Sequence, residues 1–275
     1  MKIGLIGCGK VGTTLCYLIK RRNHLVGVYD IKRHKEKRAL RLLGIKHNIP
    51  FKELCRKSEI LLFATPDDEI VHAFKKAQPF LYGKKYVVHF SGLLPASIFS
   101  QQPHVYRCAV HPFATFPRIL IPPARRNYFL FMEGDPAALA TVRKIFPKKY
   151  FTLRTIQKSD KATYHLTGVF SSNLLIGLMA ATYTLTKKIH WSEKDFYEVV
   201  VPLIEETLNN VKKFKLENAL SGPLERGDVE VIETHVKMLK KNKNLMRIYK
   251  TLSLSILKIL TRKKRGKATK KLLQD

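Results

Sequence analysis

Thirty residues at the N-terminus, MKIGLIGCGKVGTTLCYLIKRRNHLVGVYD, leave little choice about the fold. Lys2–Ile6 is an apolar run too short for a helix and of the right length for a buried parallel strand. It leads into Gly7-Cys8-Gly9-Lys10-Val11-Gly12, and residues 13–20 then read as a helix. A second apolar strand over residues 25–29 ends on Asp30. Strand, G-x-G-x-x-G, helix, strand and terminal acid together make the dinucleotide-binding fingerprint in the context it requires. Gly7 permits the tight turn, Gly9 lets backbone approach a pyrophosphate, and Gly12 lets helix and strand pack closely. The helix N-terminus offers N–H groups and a positive dipole end to phosphates. The expected cofactor is NAD or NADP, held by Gly7, Cys8, Gly9, Lys10, Val11 and Gly12, with Asp30, Lys32 and Arg33 at the ribose end.

The pattern that follows repeats the theme. Strands are expected over residues 59–64, 86–90, 105–110, 128–132 and 149–155, with helices over 34–43, 68–81 and 136–146. Strands alternating with helices of this length predict an α/β fold with a doubly wound parallel sheet, whose ligands bind at the carboxyl ends of the strands. Ala64, Thr65 and Pro66 after the third strand and Ser91 after the fourth are therefore candidates for cofactor contact. Ser91 and His111, which follows the fifth strand, are candidates for positioning a substrate.

Beyond residue 156 the pattern is helical only. One long helix is expected over 160–187, another over 192–213 that Pro202 should kink or break, one capped by Asp228, and a last over 244–260. The expected organisation is a dinucleotide-binding domain over 1–156, an all-helical domain over 157–261, and a basic, disordered tail over 262–275. An active cleft is expected between the two domains. Residues 166–186 contain no charge, which is a composition close to that of a membrane span. The segment carries seven Ser, Thr and Asn residues and two glycines, so a buried core helix is the reading taken.

Composition bounds the function classes. The chain has 51 Lys and Arg against 21 Asp and Glu, a net charge of +30, so a nucleic-acid partner has to be considered. The basic residues run along the whole length with no aromatic-interleaved RNA motif, which favours a solvated lysine-rich surface. Cys8, Cys16, Cys55 and Cys108 show neither C-x-x-C nor zinc spacing, so reduced thiols in a cytoplasmic protein and no metal site are expected. The first apolar run is too short for a secretory signal.

The long helix opens with Asp160, Lys161, Tyr164, His165, Gly168 and Ser172, and Asn173 lies at the margin of that stripe. Lys161 and His165 are one turn apart and can transfer a proton or hydrogen-bond a carbonyl. Lys161 is the first choice for proton donor and His165 the second. A Ser91/His111/Asp228 hydrolase triad is set aside, since the chain has no G-x-S-x-G elbow.

His89-Phe90-Ser91-Gly92, the 111–116 stretch HPFATF, the 160–165 stretch DKATYH, Ser172-Asn173 and the 219–228 stretch ALSGPLERGD carry a resemblance. In this order they are similar to the Rossmann-like proteins with a C-terminal helical domain of unknown function, catalogued as NADP-dependent oxidoreductases. More distantly the chain resembles pyrroline-5-carboxylate reductase, ketopantoate reductase and the β-hydroxyacid dehydrogenases. The resemblance implies a homodimer through the helical domain, and a helix lysine with a following asparagine near the substrate; by position these are Lys161 and Asn173. It departs after the second strand, where many members carry a Ser-Arg pair suited to a 2′-phosphate and this chain has Asp30-Ile31-Lys32-Arg33. The expected function is hydride transfer between a nicotinamide cofactor and a small C=O or C=N substrate. The alternative is a dinucleotide-binding sensor without turnover that contacts nucleic acid through its basic surface.

Overall fold

The computed structural model describes residues 1–119, 127–260 and Leu273. Its residues fall into two compact units, Met1–Ser172 and Asn173–Asp275. The first is a Rossmann-like α/β unit, formed by β1 Lys2–Ile6, α1 Lys10–Ile19, β2 His24–Tyr29, α2 Arg33–Leu43, α3 Phe51–Lys57, β3 Ile60–Phe63, α4 Ile70–Ala77, β4 Lys85–His89, β5 Val105–Pro112, β6 Tyr128–Gly134, α5 Pro136–Ile145, β7 Phe151–Thr155 and α6 Lys161–Ser171. The seven strands run in the order β2-β1-β3-β4-β5-β6-β7. Every pair is parallel except β5–β6, which is antiparallel, so the expected parallel sheet carries one reversal near its edge. β1 lies between β2 and β3, and the strand order therefore reverses beside the glycine turn.

Both faces of the sheet are covered. Ile3, Leu5, Ile60, Leu62 and Val88 face α1 and α5, packing with Leu15, Ile19, Val142 and Ile145. Ile6, Leu61, Phe63 and Val87 pack on the other face with Leu54, Ile70, Phe74 and Phe99. Alternation of sides along each strand, with both sides apolar, is why these strands read as continuous hydrophobic runs. α3 is absent from the sequence reading. Seven residues after Pro50 carry only Leu54 and Cys55 as buried anchors, too few to show a helical period.

The unit boundary falls after residue 172 and not at 156. The cause is a contact distant in sequence: the turn at 158–160 and α6 pack on the rest of the first unit through Tyr164, whose ring centroid lies 4.7 Å from Phe131 and 5.4 Å from Phe113. The helix expected over 160–187 is interrupted at Ser172, where φ is −130° and ψ −69°.

The second unit is helical: α7 Asn173–Lys188, α8 Glu193–Asp195, α9 Val201–Asn218, α10 Pro223–Arg226, α11 Val229–Leu239 and α12 Lys243–Ile259. Ser192 and Asp195 form a capping box at the start of α8. Pro202 does disturb its helix, through a π-helical stretch, Phe196–Val200, just before it. A proline without an N–H leaves an upstream carbonyl unpaired, and the wider turn accommodates this. α9 loses helical dihedrals at Lys215, where φ is 65°, close to the expected end.

One expectation fails. The uncharged segment is not a core helix: Leu166, Phe170, Leu174 and Ile176 are each at least half exposed, and none of its most apolar stretch is buried within the chain. Apolar residues lie around much of its circumference, and no described residues cover most of it. By length and composition this helix is long and apolar enough to cross a membrane. The predicted tail lies largely outside the described residues. Leu273, however, is 1% exposed and packs with Ile232, Leu257 and Leu260, so that position belongs to the core of the second unit.

Candidate functional site

The glycine turn has the form of a phosphate cradle. Gly7 sits at φ +93°, and a β-carbon there would lie 2.6–2.7 Å from the Ala64 and Thr65 backbone. One on Gly12 would meet Ala64 Cβ at 2.6 Å, so only glycine lets α1 rest on the sheet here. On Gly9 the nearest atom is Ala64 O at 3.9 Å, which leaves open space beside the backbone at the start of α1. Gly9 caps α1 with no side-chain bond, and the first turn contains no acid, so its N–H groups are available to an anion. The Thr65 hydroxyl beside this turn is buried with no partner among the described residues. An open cradle, unspent amides and an orphaned hydroxyl together fit a dinucleotide.

Asp30 is held in place. Its Oδ2 accepts from Cys8 N at 2.7 Å and its Oδ1 from Lys32 N at 2.8 Å, while the Asp30 N–H donates to Glu36. The carboxylate thus ties the glycine turn to the end of β2. Lys32 and Arg33 are exposed, and Lys10 likewise. Cys8 and Val11 contribute backbone, and burial together with the Asp30 charge drives the Cys8 thiol far above its ordinary range. Burial pushes Cys16, Cys55 and Cys108 up to about 12, so none of the four is a reactive thiol at neutral pH. Among the described residues no group of His, Cys, Asp and Glu is arranged to hold a metal ion.

A second cluster forms where β4 and β5 end and α6 begins. Lys161 is only 3% exposed, and no hydrogen bond or ion pair reaches its ammonium among the described residues. Burial lowers its pKa, partly opposed by Glu133, Cys108 and Asp67. His111 Nδ1 lies 2.7 Å from Tyr164 Oη, and its ring centroid is 6.1 Å from that of His165. Burial, with His165 and Lys161 nearby, holds His111 down at about 4, so it is neutral at physiological pH. A β-carbon on Gly92 would lie 2.6 Å from His165 Cδ2 and 3.0 Å from both Cε1 and Nε2 of His111. The backbone of the post-β4 loop is therefore pressed against both imidazoles, and only glycine fits.

The cluster gathers Lys161, His165 and His111 as the sequence predicts. Ser91 is near but already engaged: its hydroxyl donates to Asp67 Oδ2 at 2.6 Å and accepts from Leu93 N and Leu94 N. That hydroxyl organises the loop, with its one proton and both lone pairs already used. Pro66 starts the short turn that carries Asp67. Asn173 begins α7 in the second unit and is exposed. His89, adjacent in sequence, is a core residue, fully buried, with Nε2 on Pro95 O and Nδ1 accepting from Ser91 N. Asp228 pairs with Arg226 at 2.7 Å.

Sequence reasoning missed Glu133, Asp67 and the role of Tyr164. Glu133 Oε2 accepts from Ala96 N at 2.9 Å and its charge bears on Lys161. The one available signal was an acid at the end of the otherwise apolar YFLFMEG strand.

Comparison with known proteins agrees with this architecture. Residues 1–116 match the model of a Rossmann-like domain, and residues 128–256 match that of a domain of unknown function, DUF2520. No curated protein matches the sequence. Among solved structures, a candidate NADP oxidoreductase from Bacteroides fragilis is 23% identical with a TM-score of 0.77, covering 93% of this chain and 97% of that one. A protein from Thermotoga maritima is 20% identical with a TM-score of 0.69, over 94% of this chain and 97% of that one. The 1-pyrroline-5-carboxylate reductase of Streptococcus pyogenes is 14% identical with a TM-score of 0.65, over 100% of this chain and 99% of that one. At these identities the likeness shows the fold alone.

Proposed function

We propose that this chain, a Rossmann-like domain followed by a DUF2520 domain, is an NAD(P)-dependent oxidoreductase acting on a small C=O or C=N substrate. A bound nicotinamide cofactor would supply the hydride chemistry. The observation that carries the reading is Lys161: an almost fully buried lysine with no partner for its ammonium among the described residues, beside His111 and His165. Structural lysines are exposed or paired; one left buried and unpaired is kept for another purpose.

The first turn of α1, with the open space at Gly9 and the hydroxyl of Thr65, would hold the pyrophosphate region, and Asp30 the ribose. Lys161, its pKa lowered by burial, gives up its proton more readily than an exposed lysine and stabilises negative charge developing on a carbonyl oxygen. His165 is the second choice for donor, and His111 would orient the substrate. The names of similar structures, a candidate NADP oxidoreductase and pyrroline-5-carboxylate reductases among them, support the cofactor class. The bare apolar residues of the long helix and of α9, among them Leu174, Ile176, Leu203 and Leu208, support a homodimer through the helical unit. A cytoplasmic enzyme fits four cysteines left as buried thiols.

The test is NADH and NADPH oxidation by the purified full chain across a panel of keto acids, aldehydes and cyclic imines. Turnover that Lys161→Met abolishes is expected. Tight cofactor binding with no turnover on any member of the panel would favour the sensor.

A further inference from the structure

The bond between His111 and Tyr164 sets which ring nitrogen of the histidine carries the proton. Tyr164 Oη lies 2.7 Å from Nδ1, and no other partner of either group is found among the described residues. Burial pushes the phenol well above its ordinary range, so it stays protonated. Two arrangements can be drawn. If Nδ1 carried the proton, it would donate to the phenol oxygen, and the phenol proton would be left in the interior with no acceptor. If Nε2 carries it, the phenol donates to Nδ1, and the one N–H left over is on Nε2, which is not among the fully buried unpartnered atoms and is open to a ligand or solvent. A part-buried phenol proton left with no acceptor is costly enough to decide between tautomers that are otherwise close in energy.

We propose that Tyr164 is a positioning residue that locks His111 as the Nε2–H tautomer, presenting a neutral hydrogen-bond donor beside Gly92. The inference rests on the oxidoreductase reading only for what the donor is used on. Nε2 has no partner among the described residues, and it faces the space that a β-carbon on Gly92 would fill. The titratable and charged groups about the ring are Tyr164, His165 and Lys161 of α6, with Glu133 of β6 and Asp67 acting on Lys161. Lys161 disfavours a second proton on the ring, which keeps it neutral. A neutral donor at this place selects an acceptor: the oxygen of an aldehyde or ketone, or an unprotonated imine nitrogen. A protonated iminium, which has only donors, would be refused.

Tyr164 is held for the task. Its ring packs against Phe113, Phe131 and His111, with centroids 4.7–5.6 Å apart. Tyr164→Phe keeps those contacts and removes only the hydroxyl, so the fold should survive.

The experiment is nitrogen-15 labelling of histidine in the full chain and two-bond proton–nitrogen correlation spectra, with His111→Gln for assignment. For the wild type, His111 is expected with a protonated Nε2 and a bare Nδ1, unchanged between about pH 6 and pH 8. In Tyr164→Phe the resonances should move toward a mixture of tautomers. With an identified substrate, Tyr164→Phe should lower kcat/KM by about tenfold or more, and cofactor affinity should not change. A protonated Nδ1 in the wild type, or spectra unaltered by Tyr164→Phe, would overturn the proposal. The spectra need neither cofactor nor substrate. Absence of turnover would therefore count against the oxidoreductase reading alone, and the wrong tautomer against this one alone.

Discussion

Replacing Lys161 with Met separates a lysine kept for chemistry from one that holds the fold together. Methionine retains most of the stem that packs in the interior and deletes the ammonium. In the wild type no hydrogen bond or ion pair to that ammonium is present among the described residues, and the nearby carboxylates have partners of their own: Glu133 accepts from Ala96 N and Asp67 from Ser91 Oγ. Deletion therefore breaks no bond and relieves the desolvation of a charge, while forfeiting some longer-range attraction. Removing one member of a direct buried ion pair would cost roughly 3–5 kcal/mol. Here the variant is expected to be as stable as the wild type or more so at neutral pH, with a rise of a few degrees in Tm, at roughly 2–4 °C per kcal/mol for a unit of this size. The pH dependence has a definite sign. Because the folded pKa of Lys161 lies below its unfolded value, the unfolded chain binds more protons in the window between the two, and wild-type stability rises with pH there. The variant lacks that rise, so its advantage should be largest near neutrality and shrink as pH climbs toward the unfolded lysine value of about 10.4. Scanning calorimetry at several pH values reads this directly. Turnover should fall by roughly 10²–10⁴-fold with NAD(P)H affinity unchanged. A loss of more than about 3 kcal/mol, or an advantage that widens with pH, would make Lys161 a structural ion-pair member and refute the reasoning. Normal turnover in Lys161→Met with none in His165→Ala would move the donor to His165.

Three further outcomes are expected. Gly92→Ala should fold but lose activity, because its β-carbon lands 2.6–3.0 Å from His165 and His111; full activity would show that neither imidazole is used. With Asp30 pinned by two backbone N–H groups and unable to swing away from a 2′-phosphate, calorimetric titration should find NAD(H) bound at least as well as NADP(H); a tenfold preference for NADP(H), about 1.4 kcal/mol, would mean that Lys32 or Arg33 overrides the acid. Leu273→Ala should lower the melting temperature of the helical unit, as a buried leucine truncation costs about 2–5 kcal/mol; an unchanged transition would show that this position contributes nothing to the core.

The first unit was legible because its signals are local and redundant. The strands β1 and β3 are unbroken apolar runs after Lys2, and the G-x-G-x-x-G turn is dictated by contacts no other residue allows at Gly7 and Gly12. What escaped was not local. The reversal of β6 against β5 leaves the same apolar alternation that a parallel strand would show. The boundary at 172 depends on Tyr164 finding Phe113 and Phe131, which lie some fifty and thirty residues away in sequence. The long helix was misread because an uncharged stretch announces only that something apolar must cover it, and the sequence does not say whether the cover belongs to the same chain.

The same asymmetry governs the site. Lys161 and His165 could be singled out together because helical spacing puts them one turn apart, and His111 because it ends a strand. Whether such residues act depends on what satisfies them, and that is set by groups brought in by the fold. Ser91 and His111 looked equivalent in sequence, each a polar residue just past a strand. In the structure Ser91 has its hydroxyl bound three times by its own loop and by Asp67, whereas His111 has one nitrogen satisfied by Tyr164 and the other left over. His89 makes the same point from the other side: it sits in a motif with Ser91 and Gly92, yet both its nitrogens are spent on backbone, and burial brings it down to about 4. A polar residue fully paired within the protein holds structure, and one with a buried valence to spare is available for a ligand. Among the described residues the Thr13 and Thr65 hydroxyls are buried with no partner, and the Lys161 ammonium and His111 Nε2 are also unpaired, which sets these four apart from Ser91 and His89.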